Sequence, residues 1–331
     1  MDVPYFTGKP ENQKRTKAVD LPISRREGLN DPGGYLADEG LVDAVNVALV
    51  LGQPLLLTGE PGTGKTLLAY AVAAELGLGE VLKFETKSNS SSRDLFYIFD
   101  TVGRFHAAQT GAGSNRNIDY MTYNALGKAI LLANQKSSVQ KWLPDDFIHD
   151  GPKRSLVLID EIDKAPRDFP NDILNEIEEL YFRVPQIDNE PIRTDKSMQP
   201  VVFVTSNSEK HLPDAFLRRC IYYNIPFPSE DQLKKIVKIR VGKYLDRQEE
   251  FLSDVLDLFE QLRSPGSGIQ KKPATAELLG WIIALKEMTK ELPNPMRNND
   301  KLDRSLSVLV KNADDVRQAT RILEQWQKNK K

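Results

Sequence analysis

The residues of this chain best suited to chemistry form one short run, Gly59-Glu60-Pro61-Gly62-Thr63-Gly64-Lys65-Thr66, in the spacing G-x-x-x-x-G-K-T. A polyphosphate is held by backbone N–H groups that wrap it, and glycines let the backbone approach and take dihedrals that a side chain resists. Gly59, Gly62 and Gly64 meet that need. Lys65 brings an ammonium to the β- and γ-phosphates, Thr66 offers a hydroxyl to Mg²⁺, and a helix start adds partial positive charge. Glu60, Pro61, Thr63 and Leu67 complete the candidate nucleotide-binding set. A Gly-rich turn between a core strand and a helix is the plainer reading, and the flanks weigh against it. Leu55-Leu56-Leu57-Thr58 reads as a short strand, and Leu67, Leu68, Ala71, Val72 and Leu76 recur at helical spacing.

A second run, Ser155-Leu156-Val157-Leu158-Ile159-Asp160-Glu161, is apolar without alternation until it ends in two carboxylates. Such a strand suits burial on both faces of a parallel sheet. Behind a phosphate loop, Asp160 is the candidate Mg²⁺ ligand and Glu161 the group that polarises an attacking water. An Asp-Glu pair alone more often marks a helix N-cap region; the loop about one hundred residues upstream gives it meaning. A third buried run, Val201-Val202-Phe203-Val204-Thr205, leads to Ser206-Asn207 at the carboxyl edge of the sheet, where open α/β sheets bind ligands. Asn207 capping a turn is the alternative there.

The elements that must position these residues follow from periodicity. Apolar positions from Asp38 onward predict a helix ending at Gly52, and Val81 to Phe84 reads as a second strand. A polar loop at 86–92 precedes an aromatic-rich stretch, 95–105, readable as a substrate-touching insertion or as packing on the domain. Residues 109–118 read as a mobile loop, about 120–133 as a helix, Phe169 to Tyr181 as an amphipathic helix, and 183–199 as a hairpin or exposed loop turning at Asp188-Asn189-Glu190-Pro191.

Composition bounds the rest. A length of 331 residues allows about two domains. With 45 basic and 47 acidic residues the net charge is −2, so no global field points to nucleic acid or an anionic membrane. Cys220 is the single cysteine, which excludes an intrachain disulfide, and the three histidines are scattered, which argues against a His/Cys metal site. The N-terminus has no apolar core of the secretory kind and no apolar run is long enough to span a bilayer, so a cytoplasmic protein without membrane insertion is expected.

The succession of Gly59 to Thr66, Leu156 to Glu161, Val201 to Asn207 and then Leu212-Pro213-Asp214-Ala215-Phe216-Leu217-Arg218-Arg219-Cys220 resembles the AAA+ ATPases. Within them it is similar to the MoxR-like branch, whose Asp-Glu-Ile-Asn-(Arg/Lys)-Ala-Pro segment resembles Asp160-Glu161-Ile162-Asp163-Lys164-Ala165-Pro166, with Asp163 in place of Asn. The resemblance covers roughly residues 36–327. It implies an α/β fold, a P-loop NTPase with a parallel five-stranded sheet flanked by helices, followed by a small all-helical lid. It implies a nucleotide-binding core at 36–226 and the lid at 227–331, where helical patterns lie near 229–247, 250–263, 275–290 and 302–327, the last broken near Asn312; residues 1–35, outside the resemblance, read as an N-terminal arm.

By the same resemblance, ATP and Mg²⁺ are the cofactors and Lys65 and Glu161 serve hydrolysis. Asn207 falls at the first sensor, and Arg218 or Arg219 is the finger that reaches a neighbouring subunit's γ-phosphate, Arg219 fitting better. The second-sensor arginine is replaced by Ala274, which leaves Lys272 to supply charge as a point cation without the guanidinium fork. The activity implied is ATP hydrolysis by a homo-oligomeric ring, hexameric in the family, that remodels a protein partner in chaperone fashion, often one carrying a von Willebrand factor A domain. Two alternatives are a nucleotide-gated assembly scaffold with slow hydrolysis and a nucleic-acid-directed AAA+ ATPase, and the balanced charge speaks against the latter.

Overall fold

The computed structural model describes residues 31–330 except 112, 209–211, 243, 244, 246–248, 290, 291, 293 and 298. The expected arm therefore lies almost wholly outside the described residues. The chain divides into two compact units, Tyr35–Phe227 and a helical one that takes in residues 31–34 and 228–331.

In the first unit, α1 (Glu39–Leu51) is capped by Asp38, whose carboxylate accepts the Leu41 N–H, and stops at Gly52. Then come β1 (Leu55–Thr58), α2 (Lys65–Glu75), β2 (Leu82–Glu85), β3 (Tyr97–Phe99), α3 (Thr101–Thr110), β4 (Met121–Tyr123), α4 (Ala125–Leu132) and α5 (Lys136–Val139). β5 (Leu156–Asp160), α6 (Phe169–Asp172), α7 (Leu174–Glu179), β6 (Tyr181–Arg183), β7 (Pro191–Arg193), β8 (Val201–Thr205), α8 (Asp214–Leu217) and β9 (Ile221–Asn224) follow.

The expected five-stranded sheet is present, in the order β2-β5-β8-β1-β9, and all its neighbours are parallel. Successive strand residues face opposite layers. Leu55, Leu57, Leu156, Leu158 and Phe203 pack with apolar residues of α1 and α2, while Leu56, Val157, Ile159 and Val204 pack with α4, α6 and α7 on the other face. β1 and β5 are thus buried on both sides, which explains their unbroken apolar runs.

One strand of the expected sheet had no reading from sequence, and two expected helices need correction. The fifth strand, β9, had no visible signal because its residues alternate only between half-buried and exposed. The helix expected from about 120 begins only at Ala125, since Met121–Tyr123 pairs antiparallel with β3 to form a small sheet around α3. The helix expected from Phe169 to Tyr181 is broken at Ile173 and ends at Leu180, whose φ of 47° turns the chain into β6; β6 and β7 form the expected hairpin. In the aromatic stretch, Phe96 and Tyr97 are core residues, whereas Ile98, Val102 and Phe105 are exposed.

The helical unit contains α9 (Glu230–Val241), α10 (Glu249–Arg263), α11 (Thr275–Met288), α12 (Asn299–Ser305) and α13 (Ala313–Asn329). Asn312 caps α13, which is where the last periodic stretch was expected to break. Trp281 is fully buried, and its indole N–H is satisfied by Ser305 Oγ at 2.8 Å. Asp31, ahead of Tyr35, accepts a hydrogen bond at its carbonyl from Arg240 of α9.

The 270–271 backbone is pinned by Asp315, which accepts the N–H groups of Gln270 at 2.8 Å and Lys271 at 3.1 Å and the Asn312 side-chain amide at 2.6 Å. Burial would raise the Asp315 carboxyl, but those hydrogen bonds outweigh it and hold it below the usual carboxylate range. Asp315→Ala leaves two backbone donors without their acceptor and should cost about 1–3 kcal/mol, read as a lower urea midpoint of the full chain at pH 7. A depressed carboxylate stabilises above its unfolded value, near pH 4, and loses that contribution as pH falls through the folded value. The difference between wild type and variant should therefore be full at pH 7 and shrink steadily on acidification below about pH 4.

Candidate functional site

The loop after β1 is shaped by backbone that only glycine accepts comfortably. Gly59 has φ 139°, and a Cβ there would lie 2.5 Å from the Ile225 carbonyl oxygen; Gly64 has φ 93°, and its Cβ would press on the Tyr35 ring at 3.1 Å. Inside the loop Thr63 Oγ1 donates to the Glu60 carbonyl at 3.0 Å. Glu60 and Pro61 form the exposed tip, and Leu67 is half-buried on α2. The Lys65 ammonium donates to the carbonyls of Gly59 at 2.9 Å and Glu60 at 3.0 Å, which leaves its third N–H without a partner among the described residues. Burial pushes that ammonium below the ordinary lysine value, against the raising influence of Asp163, Asp160 and Glu161. The loop therefore offers a curved backbone, a helix N-terminus and a cation, the combination that receives phosphate groups.

Asp160, at the end of β5, is the hub of the site. Its Oδ1 accepts from Thr66 Oγ1 at 2.9 Å and Thr205 Oγ1 at 2.7 Å, and its Oδ2 faces the Lys83 ammonium at 3.0 Å. The carbonyl of Asp160 accepts both the hydroxyl and the N–H of Thr86. Burial would raise this carboxyl, yet hydrogen bonds from Thr205, Lys83 and Thr66 outweigh it and hold it below the usual range. Burial would likewise lower Lys83, but its bonds to Glu85 and Asp160 prevail and push it up to about 12. Thr66 Oγ1 and Asp160 Oδ1 are hard oxygen donors from different elements that already meet, a donor set that fits a small hard dication such as Mg²⁺.

Glu161 follows with φ 56°, a left-handed conformation that is uncommon for a side-chain-bearing residue and that turns the chain sharply out of the sheet. Its N–H donates to Thr205 Oγ1 at 2.8 Å, and its carboxylate pairs with Lys164 one turn on. Asp163, where the similar family segment has Asn, accepts the backbone N–H of Asn207 at 3.1 Å. Asn207 is thereby tied to the Asp160–Lys164 turn at the carboxyl edge.

Arg218 and Arg219 follow α8 and differ in their surroundings. Arg219 Nε donates to Glu178 Oε2 at 2.6 Å, whereas Arg218 is exposed and makes no ion pair among the described residues. Lys272 belongs to the helical unit, exposed ahead of α11; Ala274 caps that helix through its N–H, which donates to Glu277 at 3.0 Å. Sequence reasoning did not single out Thr205, Lys83 or Tyr35. A polar residue closing an apolar strand was the one available sign for Thr205; the other two are found only from strand register and chain return.

A parallel sheet with a glycine loop, lysine and hydroxyl after β1 and a paired carboxylate after β5 defines the class of P-loop nucleotide-binding α/β proteins. The family model for the ATPase family associated with various cellular activities (AAA) matches residues 55–228, and the chain belongs to that family. The chain is similar to the ATP-dependent zinc metalloprotease FtsH 3 of Sorangium cellulosum, 54% identical over 48 residues, a stretch that spans 14% of this chain and 7% of that protein. Among solved structures it is similar to the Thermotoga maritima RuvB Holliday junction branch migration motor, at 16% identity and a TM-score of 0.46 over 84% of this chain and 69% of that one. It is also similar to domain III of the T. maritima replication initiation protein DnaA, at 16% identity and a TM-score of 0.43 over 88% of this chain and all of that one. Among the described residues no helix is long and apolar enough to cross a membrane.

Thr205 is fully buried and serves both carboxylate residues at once. Thr205→Val keeps the shape but orphans the Glu161 N–H, and should lower stability by about 1–3 kcal/mol in denaturant unfolding. The same substitution frees Asp160 to move, so the nucleotide-dependent gain in melting temperature should fall as well.

Proposed function

We propose that this chain hydrolyses ATP with Mg²⁺ as one subunit of a ring and uses the cycle to remodel a protein partner, in the manner of the MoxR-like branch. The observation that carries this reading is the meeting of Thr66 and Asp160, 94 residues apart, at the carboxyl edge beside Lys65. A module that only bound phosphate would have no use for Glu161 beyond Asp160; a hydrolase needs a carboxylate to polarise water. In this reading the loop N–H groups, from Gly62 to Thr66, and Lys65 hold the β- and γ-phosphates. Thr66 and Asp160 hold the Mg²⁺, which neutralises phosphate charge when bound. Asn207 and Glu161 orient the water between them.

For the residue acting across a subunit boundary we propose Arg218. Arg219 is committed to Glu178 within its own chain, while Arg218 presents an exposed guanidinium. Lys272 is proposed as a charge on the helical unit in place of the second-sensor arginine, and a von Willebrand factor A domain protein as the class of partner. The division into arm, core and lid is likewise proposed.

The scaffold reading is favoured by one observation, the ion pair that holds Glu161 to Lys164. Lys164→Ala separates the two. Under the motor reading the basal rate of phosphate release should rise severalfold; a rate that stays near zero would favour the scaffold.

The ring is tested by phosphate release per chain as a function of protein concentration. The specific rate should rise with concentration. Arg218→Ala should lower kcat at least about a hundredfold while ATP still binds, since finger residues contribute on that scale. Arg219→Ala should lose far less. Mixing Arg218→Ala with Lys65→Ala should restore partial activity, because each supplies what the other lacks. A concentration-independent rate that survives loss of both arginines would overturn the shared site.

A further inference from the structure

Lys83 is on β2, the sheet edge beside β5, and it is no part of the phosphate loop. Its ammonium stands between two carboxylates, 3.0 Å from Asp160 Oδ2 and 2.6 Å from Glu85 Oε1. The acceptors differ in their surroundings, because the Asp160 side chain is 10% exposed and that of Glu85 is 69% exposed. Oδ1 of Asp160 is already engaged by Thr66 and Thr205, so Lys83 holds the remaining oxygen. A dication approaching this carboxylate meets a positive charge already in contact with it, and at such distances like charges repel strongly in a partly desolvated site.

We propose that Lys83 competes with the divalent cation for Asp160, with Glu85 as the alternate seat of its ammonium. Lys83 thereby sets the metal affinity of the nucleotide site and restores the charge balance of Asp160 when metal and product leave. The inference rests on Asp160 being the metal ligand proposed above. It makes Lys83 a positioning residue that acts through Asp160, and it gives Glu85 a role that an exposed strand-end carboxylate would otherwise lack. The two neighbours must then act in opposite directions. Loss of Lys83 removes the competitor, whereas loss of the Glu85 charge leaves the ammonium wholly to Asp160.

The test is a Mg²⁺ titration of the full chain with bound N-methylanthraniloyl-ATP, read by fluorescence, together with melting temperature. Lys83→Met should lower the Mg²⁺ concentration at half-saturation about three- to tenfold, and Glu85→Gln should raise it about two- to fivefold, as expected when a charge a few ångströms away is removed. Lys83→Arg should stay close to wild type. Asp160→Asn is the control on the underlying reading and should raise half-saturation at least about tenfold, since it removes the metal ligand. If Asp160→Asn weakens Mg²⁺ but Lys83→Met and Glu85→Gln do not shift in opposite directions, the competition is overturned and the metal site stands. If Asp160→Asn leaves the titration unchanged, the metal-site reading itself has failed. Should Lys83→Met not fold, Glu85→Gln decides alone: weaker Mg²⁺ supports the competition and an unchanged value overturns it.

Discussion

The site depends on one buried carboxylate that must stay ionised. Asp160 lies at the end of a strand buried on both faces, where desolvation disfavours its charge. Three hydrogen-bond donors from three separate elements reverse that preference: Thr66 from α2, Thr205 from β8 and Lys83 from β2. None of the three is near it in sequence. The sheet order, with β5 between β2 and β8, makes the last two contacts possible, and the passage of α2 across β8 onto β5 makes the first. The fold of the first unit can be read as the apparatus that brings these donors to one carboxylate.

That requirement constrains the strand ends closely. Thr86 closes on the Asp160 carbonyl from one side, while Thr205 closes on the Glu161 N–H from the other. Glu161 follows in a left-handed turn, a strain of roughly 1–2 kcal/mol for an L-residue. Such a cost persists only where the surroundings over-determine it. Here the two threonines hold the Asp160–Glu161 peptide from its two sides, and beyond the turn the Lys164 N–H donates to the Glu161 carbonyl at 2.9 Å, so the backbone is anchored before and after Glu161. The adjoining Asp163 performs the same service for Asn207 by accepting its N–H.

How much of this the sequence revealed followed the range of the interactions. The phosphate loop was legible because its chemistry is contiguous: Gly59 to Thr66 needs no partner outside the run to be recognised. β1, β5 and β8 were legible because burial on both faces leaves an uninterrupted apolar signature. β9 was not, since an edge strand with one half-exposed face carries no such run. The β3-β4 pair was hidden for another reason. Three-residue strands separated by a helix with no buried residue leave neither alternation nor an amphipathic stripe. Lys83 could not be singled out because its significance lies in a register, Lys83 opposite Leu158 and Glu85 opposite Asp160, that no local pattern encodes.

The charges around the site sort into those already spoken for and those held back. Asp160 is paired with Lys83, which it shares with Glu85, Glu161 with Lys164 and Glu178 with Arg219. Lys65 is different. It is buried, and its ammonium donates to backbone carbonyls; Asp163, Asp160 and Glu161 act on it only through space, and none is paired with it among the described residues. Holding a buried cation in that way is unfavourable unless an anion is to arrive, and the surrounding glycine loop is shaped for one. Arg218, exposed and without an ion pair among the described residues, stands outside the matched set in the same way. On the proposed reading Lys65 and Arg218 are the cations meant for phosphate, Lys65 from within the chain and Arg218 toward a neighbour.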